Sequence, residues 1–510
     1  MKTHFHSLIC LIFLFPLVFS ACSSLATDTT TYWPTHDWRT STPEQQGMDS
    51  ELLVQMMEQI QSKQINLHSL IILRHGYIVA EAYFQPYEAN NRVEIYSITK
   101  SIVSALVGIA IKQGSIDSVN HKVLDYFPDL AVANNDARKQ AIALEHLLTM
   151  SSGLEWSDEA NNGEMDQSQD AVKYVLDRPM GATPGQVFTY NSGAPTILTA
   201  ILRKTTGKGP LEFAQANLFG PLGISDIRWK TNQNGLEVGG AGIQLTPRDM
   251  AKFGYLYLRN GLWEGKQIVP ASWVNASLEE HVDPKMKGEK RSGYGYLWWL
   301  QTSGATAAQG LGGQYILLLP AQDLEVVFTA GLSPQEFQMP YDLFESYILA
   351  AIRSSAPLPA NPTSAARLEM LLNAAAQPEP KPVPPLPPVA QRISGKTFLA
   401  DSNNPSGIQS FSFAFQGDTA VVNSASRGGG RGQWQIGLDG IYRVNSNMIG
   451  MEAARGVWQD EKTLVLDFES LSGQGATIST FTFTGDTVVV SIASNIYPSL
   501  SVSGIAHLQE

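Results

Sequence analysis

Apolar and polar residues follow different spacings in different parts of the chain. The pattern of residues 67–80 predicts two strands that are joined by a turn at His75-Gly76, which is a hairpin. Residues 315–320 and 324–329 predict the two strands of a second hairpin. Between these hairpins, residues 97–113 are largely apolar and are followed by Gly114, which predicts a buried helix with a stop signal. Strands at both ends with helices between them predict an α+β fold, in which helices cover an antiparallel sheet.

The C-terminal part of the chain, residues 393–510, alternates between apolar and polar positions and carries Gly and Asp turns. Residues 411–415 and 463–468 are examples of this alternation, which predicts half-buried strands. Residues 412–422 also resemble residues 480–490, each with a strand, a Gly-Asp turn and a second strand. An internal duplication and two hairpins with the same turn chemistry both account for this likeness. The pattern predicts an all-β domain, either a barrel or a sandwich.

A proline-rich segment separates these two parts. Residues 378–388 contain a cluster of prolines, which favours extended polyproline II and a semi-rigid spacer. A short helix is expected just before it, over residues 365–376. We therefore predict a globular domain over residues 39–354, a linker over 355–392 and the all-β domain over 393–510.

The N-terminus has the pattern of an export signal. Lys2 precedes an apolar run at residues 8–19, which is too short for a membrane-spanning helix and predicts a signal peptide over residues 1–21. Residues 19–22 resemble a bacterial lipobox, in which Cys22 becomes the lipidated first residue. Ordinary cleavage near Ala21 is the alternative. We expect an exported lipoprotein of the periplasm or outer membrane, with a lipid anchor as its only membrane contact and a tether over residues 22–38.

Composition narrows the chemistry. The 510 residues carry 35 Lys and Arg against 47 Asp and Glu, a net charge of −12 without a basic run, so we expect no nucleic-acid partner. Cys10 and Cys22 are the two cysteines, and neither offers a disulfide, a cysteine nucleophile or a cysteine metal site in the mature chain. Because the histidines are scattered, we expect neither a metal nor another cofactor.

The sharpest chemical signal is the single Ser-x-x-Lys of the chain, formed by Ser97 and Lys100. Residues three apart share one helix face, which puts Lys100 beside the Ser97 hydroxyl at the first turn of the predicted helix. Burial near a helix N-terminus disfavours a charged amine, so we expect Lys100 to accept the proton and Ser97 to act as nucleophile. The alternative is a capping serine beside a lysine that extends to solvent.

Longer stretches carry a resemblance that is more specific than this tetrapeptide. They are residues 97–101, 144–154, 184–193, 218–224, 245–254 and 294–299. Over about residues 45–350, the chain resembles the penicillin-recognising serine hydrolase superfamily. That superfamily includes class C β-lactamases, D-alanyl-D-alanine peptidases, β-lactamase-like esterases and aminohexanoate-oligomer hydrolases. The resemblance implies a serine hydrolase in which Ser97 and Lys100 are catalytic.

The resemblance also implies a catalytic tyrosine. Tyr190 matches the tyrosine of the superfamily's Tyr-x-Asn motif, while Ser192 stands in place of the asparagine and Asn191 comes one position early. Tyr190 is implied to shuttle the proton between the nucleophile, the lysine and the leaving group. The alternative is a core tyrosine at a strand-to-helix turn.

The third motif of the superfamily, Lys- or His-Thr-Gly, is matched by Ala308-Gln309-Gly310. Ala308 lacks the cation that normally holds an anionic substrate carboxylate, and this departure argues against β-lactams and D-Ala-D-Ala peptides as substrates.

Backbone groups complete the implied site. The N–H groups of Ser97 and Leu311 are implied to form the oxyanion hole. We assign substrate contacts to Ser192, Gly310 and Gln314. The alternative for the last two is a glycine-rich hairpin that serves only geometry.

Two further features bear on the pocket. The acidic run at residues 158–170 predicts a solvated loop over it. Trp156, Trp298 and Trp299 either line a substrate cleft or pack in the core.

The expected function is hydrolysis of small carboxylic esters or amides through an acyl-enzyme on Ser97. One alternative is a β-lactamase or D-Ala-D-Ala carboxypeptidase. Another is a catalytically silent protein of the same fold that binds cell-wall peptides or a partner, against which the intact Ser97, Lys100 and Tyr190 argue. A third makes the β-domain the functional part and the hydrolase its platform.

Overall fold

A computed structural model describes residues 32–286, 290–447, 450–472, 475–497 and 501–509. The predicted signal peptide, both cysteines and the proposed lipidation of Cys22 lie outside these residues. Contacts gather Pro34–Glu510 into one compact unit. Within the described ranges, every helix is too short or too polar to cross a bilayer.

The first part of the chain is built on an antiparallel sheet. The seven strands of this sheet lie in the order β2-β1-β12-β11-β10-β9-β8, beside a small β3-β5-β4 sheet and a β6-β7 pair. Their bounds are β1 Leu67–Arg74, β2 Tyr77–Tyr83, β3 Val93–Glu94, β4 Arg228–Trp229, β5 Ile243–Leu245, β6 Leu262–Trp263, β7 Lys266–Gln267, β8 Arg291–Tyr294, β9 Trp299–Gln301, β10 Thr306–Gly310, β11 Gln314–Leu319 and β12 Leu324–Ala330. Both predicted hairpins are present, β1-β2 and β11-β12. Strands β1, β11 and β12 are buried along their whole length, which places the core at the middle of the sheet.

Helices cover this sheet, as predicted. Their bounds are α1 Ser50–Ser62, α2 Ile98–Lys112, α3 Ala137–Gln140, α4 Leu144–Leu148, α5 Asp158–Gln167, α6 Ala171–Leu176, α7 Gly193–Thr206, α8 Pro210–Ala214, α9 Pro247–Leu258, α10 Ala271–Leu278, α11 Met339–Leu343, α12 Pro362–Ala376 and α13 Pro388–Ile393. Short 3₁₀ turns occur at Glu44–Gln46, Val123–Tyr126 and Pro320–Gln322, and π turns at Gln215–Phe219 and Phe344–Leu349. Helix α2 is buried over residues 98–110 and packs on α7, β10 and β11, which confirms the predicted buried helix.

The acidic run at residues 158–170 is not a loop, so that prediction is wrong. It forms helix α5, which begins at Asp158 directly after Ser157. Asp158 and Glu159 lie in its first turn, where the helix dipole stabilises negative charge, and Met165 anchors it to the core. The rest of the helix is largely exposed, so the run is solvated although it is helical.

The C-terminal part is a barrel. Its strands are β13 Thr397–Ala400, β14 Ile408–Gln416, β15 Thr419–Ser426, β16 Arg431–Gly437, β17 Arg443–Asn447, β18 Gly450–Trp458, β19 Thr463–Ser470, β20 Ala476–Thr484, β21 Thr487–Ser494 and β22 Val502–Leu508. They follow the order β16-β15-β14-β13-β22-β21-β20-β19-β18-β17, and β16 also pairs with β18. That pairing, between Gly437 and Arg455, closes the ring and decides between the barrel and the sandwich.

Phenylalanines fill the barrel. The rings of Phe413 and Phe481 lie 5.1 Å apart edge to face, and Phe398, Phe411 and Phe483 pack around them. Burial of this aromatic cluster stabilises the barrel, because it removes apolar surface from water. The two segments that resemble each other are the hairpins β14-β15 and β20-β21, with equivalent pairs at their turns. Both explanations of their likeness therefore stand.

The segment between the two parts is docked rather than free. Helix α12 covers the predicted 365–376 helix and packs on α1 and β2. In the proline-rich stretch after it, Val383 and Leu386 pack against the barrel core, and the Lys381 N–H donates to the Asp439 carbonyl at 2.8 Å. The domain boundaries at 354 and 392 remain predictions.

Candidate active site

Ser97 stands at the point where the chain turns into helix α2. Strand β3 pairs with β5 just before it, and the Ile95 N–H donates to the Ile243 carbonyl at 3.0 Å. Tyr96 then adopts a left-handed backbone with φ of 47°, which few residues other than glycine do. Such a conformation persists only where the surrounding structure holds it, and here it sets the position of Ser97.

Lys100 lies directly against the serine. Its Nζ is 2.7 Å from Ser97 Oγ and 2.7 Å from the Gly240 carbonyl oxygen, and its side chain is 1% exposed. Ser97 makes no side-chain capping bond to helix α2. A capping serine with a solvent-directed lysine is therefore not the arrangement present. A buried amine held on a serine hydroxyl is suited to moving that hydroxyl's proton.

Tyr190 reaches the same place from another element. Its ring centroid is 4.9 Å from Lys100 Nζ, and its ring stacks on Trp299 at 5.7 Å. Asn191, the asparagine that comes one position early, turns the chain into α7 because its Oδ1 accepts the N–H groups of Gly193 and Ala194. The asparagine is thus used as a helix cap and leaves Tyr190 beside Lys100.

Ser192 is held by a carboxylate that sequence reasoning placed in a solvated loop. Its hydroxyl donates to Asp158 Oδ2 at 2.6 Å, and its N–H donates to Asp158 Oδ1 at 3.0 Å. The Trp156 indole also donates to Asp158 Oδ1, at 2.6 Å. The hydroxyl hydrogen of Ser192 is therefore already used, and only its oxygen is free to accept a bond from a substrate.

Strand β10 leaves one edge open beside Ser97. Strand β9 pairs only with Thr306 and Ala307, so Gly310 lies beyond the paired stretch. A Cβ on Gly310 would lie 2.3 Å from the Ile95 carbonyl oxygen, so only glycine allows this strand so close to the turn before Ser97. Among the described residues, no backbone hydrogen bond of a turn or loop uses the N–H groups of Ser97 and Leu311, the two groups predicted to form the oxyanion hole.

The Gln314 side chain forms hydrogen bonds within the turn between strands β10 and β11. Its Nε2 donates to the Leu311 carbonyl at 3.2 Å and to the Ala330 carbonyl at 2.6 Å, and the side chain is 1% exposed. Both amide hydrogens are thereby committed to the backbone. The structure gives Gln314 a role in holding the Leu311 turn and leaves it no donor for a substrate.

A cation lies beside β10 although Ala308 carries none. The guanidinium of Arg291 donates to Gln309 Oε1 at 2.9 Å and lies 4.1 Å from the Trp299 ring centroid. Trp299 is the residue on which Tyr190 stacks. Sequence reasoning missed Arg291, because it lies on β8, two strands from the motif.

The three tryptophans lie in two different surroundings, and whether any of them lines a substrate cleft stays a prediction. Trp298 is fully buried against Phe253 and Tyr257 and belongs to the core. Trp299 and Trp156 support Tyr190 and Asp158 at the site. No group of three or more His, Cys, Asp or Glu side chains within the described ranges is arranged for a metal ion.

Comparisons with known proteins identify the family. The Beta-lactamase family model matches residues 51–343, more than half of the chain. An uncharacterized protein of Alkalihalophilus pseudofirmus is 25% identical over 312 residues, which cover 53% of this chain and 85% of that protein. The 6-aminohexanoate-dimer hydrolase of Paenarthrobacter ureafaciens is 24% identical over 280 residues, which cover 51% of this chain and 71% of that protein.

A solved structure shows the same fold. EstCE1, described as a hydrolase with promiscuous acyltransferase activity, has a TM-score of 0.51 at 15% identity, covering 58% of this chain and 99% of its own. The family match confirms the resemblance that the sequence motifs predicted. The chain belongs to the beta-lactamase family of serine hydrolases.

Proposed function

We propose that this chain hydrolyses carboxylic ester or amide bonds of small molecules through an acyl-enzyme on Ser97. One observation carries the proposal: Lys100 Nζ lies 2.7 Å from Ser97 Oγ on a side chain that is 1% exposed. A surface ion pair or a helix cap does not require a buried amine on a serine hydroxyl. Activation of a nucleophile does.

In the acylation step, Lys100 takes the Ser97 proton while Oγ forms a bond to the substrate carbonyl carbon. The carbonyl oxygen becomes an oxyanion, which accepts hydrogen bonds from the N–H groups of Ser97 and Leu311. When the tetrahedral intermediate collapses, the bond to the leaving oxygen or nitrogen breaks. That atom receives the proton from Lys100 by way of Tyr190.

In the deacylation step, water attacks the acyl carbon. Tyr190 and Lys100 accept one proton from the water, and the same oxyanion hole holds the second tetrahedral intermediate. Collapse breaks the bond to Oγ and returns the proton to Ser97. The products are the free acid and the regenerated enzyme, so no external reactant besides water is required.

The aromatic side chains around Tyr190 suit an uncharged or weakly polar substrate. Tyr190 stacks on Trp299, and Phe188 packs edge-on against Trp299 at 5.6 Å. Such aromatic surfaces favour apolar acyl or leaving groups. The family relative named as a 6-aminohexanoate-dimer hydrolase and the structural neighbour named as a hydrolase support this class of reaction.

Arg291 favours a second candidate, hydrolysis of substrates that carry a carboxylate, such as β-lactams. Its guanidinium is bonded to Gln309 and lies one aromatic ring away from Tyr190. A positive charge there offers an anionic group the attraction that Ala308 does not.

The test compares Ser97→Ala with Ser104→Ala in the full chain. Ser104 lies on the same helix and is fully buried, and its hydroxyl has no hydrogen-bond partner among the described residues, so its loss is a matched control. We expect p-nitrophenyl ester turnover and fluorophosphonate labelling in the parent and in Ser104→Ala, and neither in Ser97→Ala. An inactive, unlabelled parent would refute the hydrolase proposal, and nitrocefin turnover would favour the second candidate.

We also propose that the protein is exported and anchored through a lipid on Cys22. The support is the apolar run at residues 8–19 followed by the lipobox-like residues 19–22. Labelling cells with a radioactive fatty acid should mark the parent but not Cys22→Ser. Equal labelling of both, or of neither, would contradict lipidation.

A further inference from the structure

Three residues that follow strand β21 lie against the two backbone segments that carry the proposed oxyanion hole. These residues, Asn495, Ile496 and Tyr497, each contact the sheet-and-helix part of the chain. Asn495 Nδ2 donates to the Gly331 carbonyl, which follows directly after β12. This bond fixes the first of these residues at the end of the sheet that faces Ser97.

Tyr497 holds the residue before the nucleophile. Its phenol lies close enough to the phenol of Tyr96 for each group to act on the pKa of the other. Tyr96 is buried and has the left-handed backbone that turns the chain into helix α2. Burial raises the pKa of both phenols, so both groups stay protonated and uncharged at neutral pH.

Ile496 packs on the other segment. Its Cδ1 lies 3.1 Å from the position that a Cβ on Gly312 would take, in van der Waals reach of this glycine. Gly312 directly follows Leu311 and has a φ of 77°. The Gly312 carbonyl also accepts the Leu332 N–H at 2.9 Å, which ties the turn to the end of β12.

The two N–H groups of the proposed oxyanion hole therefore come from separate segments, and one short piece of the barrel touches both. An oxyanion hole works because its donors are already in place when charge develops, and small displacements weaken it. A left-handed tyrosine and a glycine turn are both conformations that neighbouring contacts must hold. The barrel supplies one such contact to each.

We propose that Ile496 and Tyr497 are positioning residues for the oxyanion hole, which makes the C-terminal barrel part of the catalytic unit. This inference rests on the proposed function, because without an acyl-enzyme on Ser97 there is no oxyanion to hold. Neither residue contacts the reacting atoms. Tyr497 acts through Tyr96, and Ile496 acts through the Leu311-Gly312 turn.

The test uses Tyr497→Phe, which removes only the hydroxyl, and Ile496→Ala, which removes the packing, both in the full chain. Each is assayed on a p-nitrophenyl ester and on its thiono analogue, in which sulfur replaces the carbonyl oxygen. Sulfur accepts hydrogen bonds weakly, so the oxo-to-thiono rate ratio reports on the oxyanion hole. We expect kcat on the oxo ester to fall about tenfold, less than the 10²–10³ seen when a donor is removed outright.

We expect KM to change by less than about twofold and the oxo-to-thiono ratio to fall with kcat, since the loss belongs to the transition state. The control is Gln85→Ala. Gln85 bonds the barrel through its side chain, with Nε2 donating to the Tyr442 carbonyl at 3.0 Å and Oε1 accepting the Tyr442 N–H at 3.3 Å. It joins the barrel to the end of β2 rather than to Tyr96 or Gly312, so its kcat and ratio should match the parent.

Near-UV circular dichroism and the melting temperature establish that each variant is folded, and Ile496→Val replaces Ile496→Ala if the latter is not. The inference is overturned if both variants keep the parental oxo-to-thiono ratio, or if Gln85→Ala loses it equally. A parent that neither turns over the ester nor reacts with a fluorophosphonate would instead refute the proposed function, so the two failures are distinguishable.

Discussion

At the scale of single residues, the proposed mechanism depends on the contact between Lys100 and Ser97. Its Nζ is shared between the serine hydroxyl and the Gly240 carbonyl, both at 2.7 Å, beside the ring of Tyr190. The amine is thus oriented by a backbone acceptor on one side and faces the Ser97 hydroxyl, the proposed nucleophile, on the other. The same helix turn sets both positions, which is why a spacing of three residues in the sequence was enough to predict the pair.

In the second proposed candidate, Arg291 is the residue that attracts a carboxylate of the substrate. For Arg291→Gln we expect kcat/KM to fall about tenfold on an ester whose acyl group carries a carboxylate, because a charge-assisted hydrogen bond is lost. On a neutral ester of the same length, kcat/KM should not change. Lys290→Gln is the matched control, since the Lys290 amine is bonded to Asp342 and Glu345. Equal losses on both esters would show that Arg291 acts only on the structure.

The contacts of Asp158 and Arg291 at the site could not be predicted from the sequence. The hydrogen bond between Ser192 and Asp158 joins residues 34 positions apart in the sequence, and the bond between Arg291 and Gln309 joins residues 18 positions apart. Neither contact follows from a periodicity or a short motif, because the packing of whole elements brings these residues together. Tyr190 was predictable only through a motif, and the contact with Lys100 rests on the cap that Asn191 provides.

At the scale of elements, the site depends on how closely strand β10 approaches the start of α2. Gly310 permits this approach, and Gln314 holds the following turn. The hairpins and the buried helix were predictable, because their patterns of apolar residues are strong. The acidic run was mistaken for a loop because its polar residues hide the fact that Asp158 starts a helix and Met165 anchors it.

Gly310→Ala tests the closeness of this approach. The added Cβ would lie 2.3 Å from the Ile95 carbonyl oxygen, so the strand or the turn has to move. We expect ester turnover to fall about hundredfold, since a displacement near 1 Å costs that much at a catalytic site. Overpacking of this kind also lowers the free energy of unfolding by about 1–3 kcal/mol.

Gly163→Ala is the control for this substitution. Gly163 lies in α5 with open space around its Cα, so alanine should keep activity and stabilise the helix by about 0.5–1 kcal/mol. Steady-state kinetics and urea unfolding measure both quantities. Full activity in Gly310→Ala would show that the strand need not lie so close to Ser97.

At the scale of the whole molecule, the barrel and the sheet share a buried polar contact. Glu469 on β19 is 1% exposed and accepts hydrogen bonds from Asn66 Nδ2 at 2.9 Å and from the Tyr87 hydroxyl at 3.1 Å. Burial raises the pKa of Glu469 to about 7, and burial lowers the pKa of the neighbouring His68 to about 3. Both groups are therefore uncharged between these values, although they lie 3.9 Å apart in the geometry of an ion pair.

These two shifts act on stability in opposite directions. Glu469 binds a proton more tightly in the folded state, so its contribution is lost as pH rises from about 4.5 to 7. His68 stays neutral in the folded state, so its contribution is lost as pH falls from about 6.5 to 3. Glu469→Gln removes the first effect, because its amide does not ionise. Its oxygen still accepts the Asn66 amide, and its NH2 donates to the Tyr87 hydroxyl, which also donates to the Ser470 carbonyl. We compare the change in the free energy of unfolding between pH 5 and pH 8 in the two proteins. This change should be more positive in Glu469→Gln than in the parent, by on the order of 2 kcal/mol.

Urea unfolding at pH 5 and pH 8 measures this difference. Glu452→Gln, which changes a carboxylate bonded to Trp434 within the barrel, is the control and should follow the parent. Identical pH dependence in the parent and Glu469→Gln would show that Glu469 is ionised in the folded protein at both pH values.

The alternation of apolar residues predicted a C-terminal β-domain but left barrel and sandwich open. Closure depends on one backbone pairing and on Asn445, whose side-chain amide makes two hydrogen bonds to the backbone of Gln435 in place of a strand. Hydrogen bonds from one polar side chain to a strand backbone do not change the spacing of apolar residues, so the hydrophobic pattern does not predict them. The contact between barrel and oxyanion-hole segments was hidden for the same reason, since it depends on the packing of elements far apart in the chain.

The central claim, that Ser97 becomes covalently acylated, has a direct measurement. The full chain is treated with a fluorophosphonate, digested, and its modified peptide is mapped by mass spectrometry, alongside Ser97→Ala and Lys100→Met. The account predicts one adduct on Ser97 in the parent, none in Ser97→Ala and much slower labelling in Lys100→Met. An adduct on another residue, or equal labelling of the parent and Ser97→Ala, would contradict it.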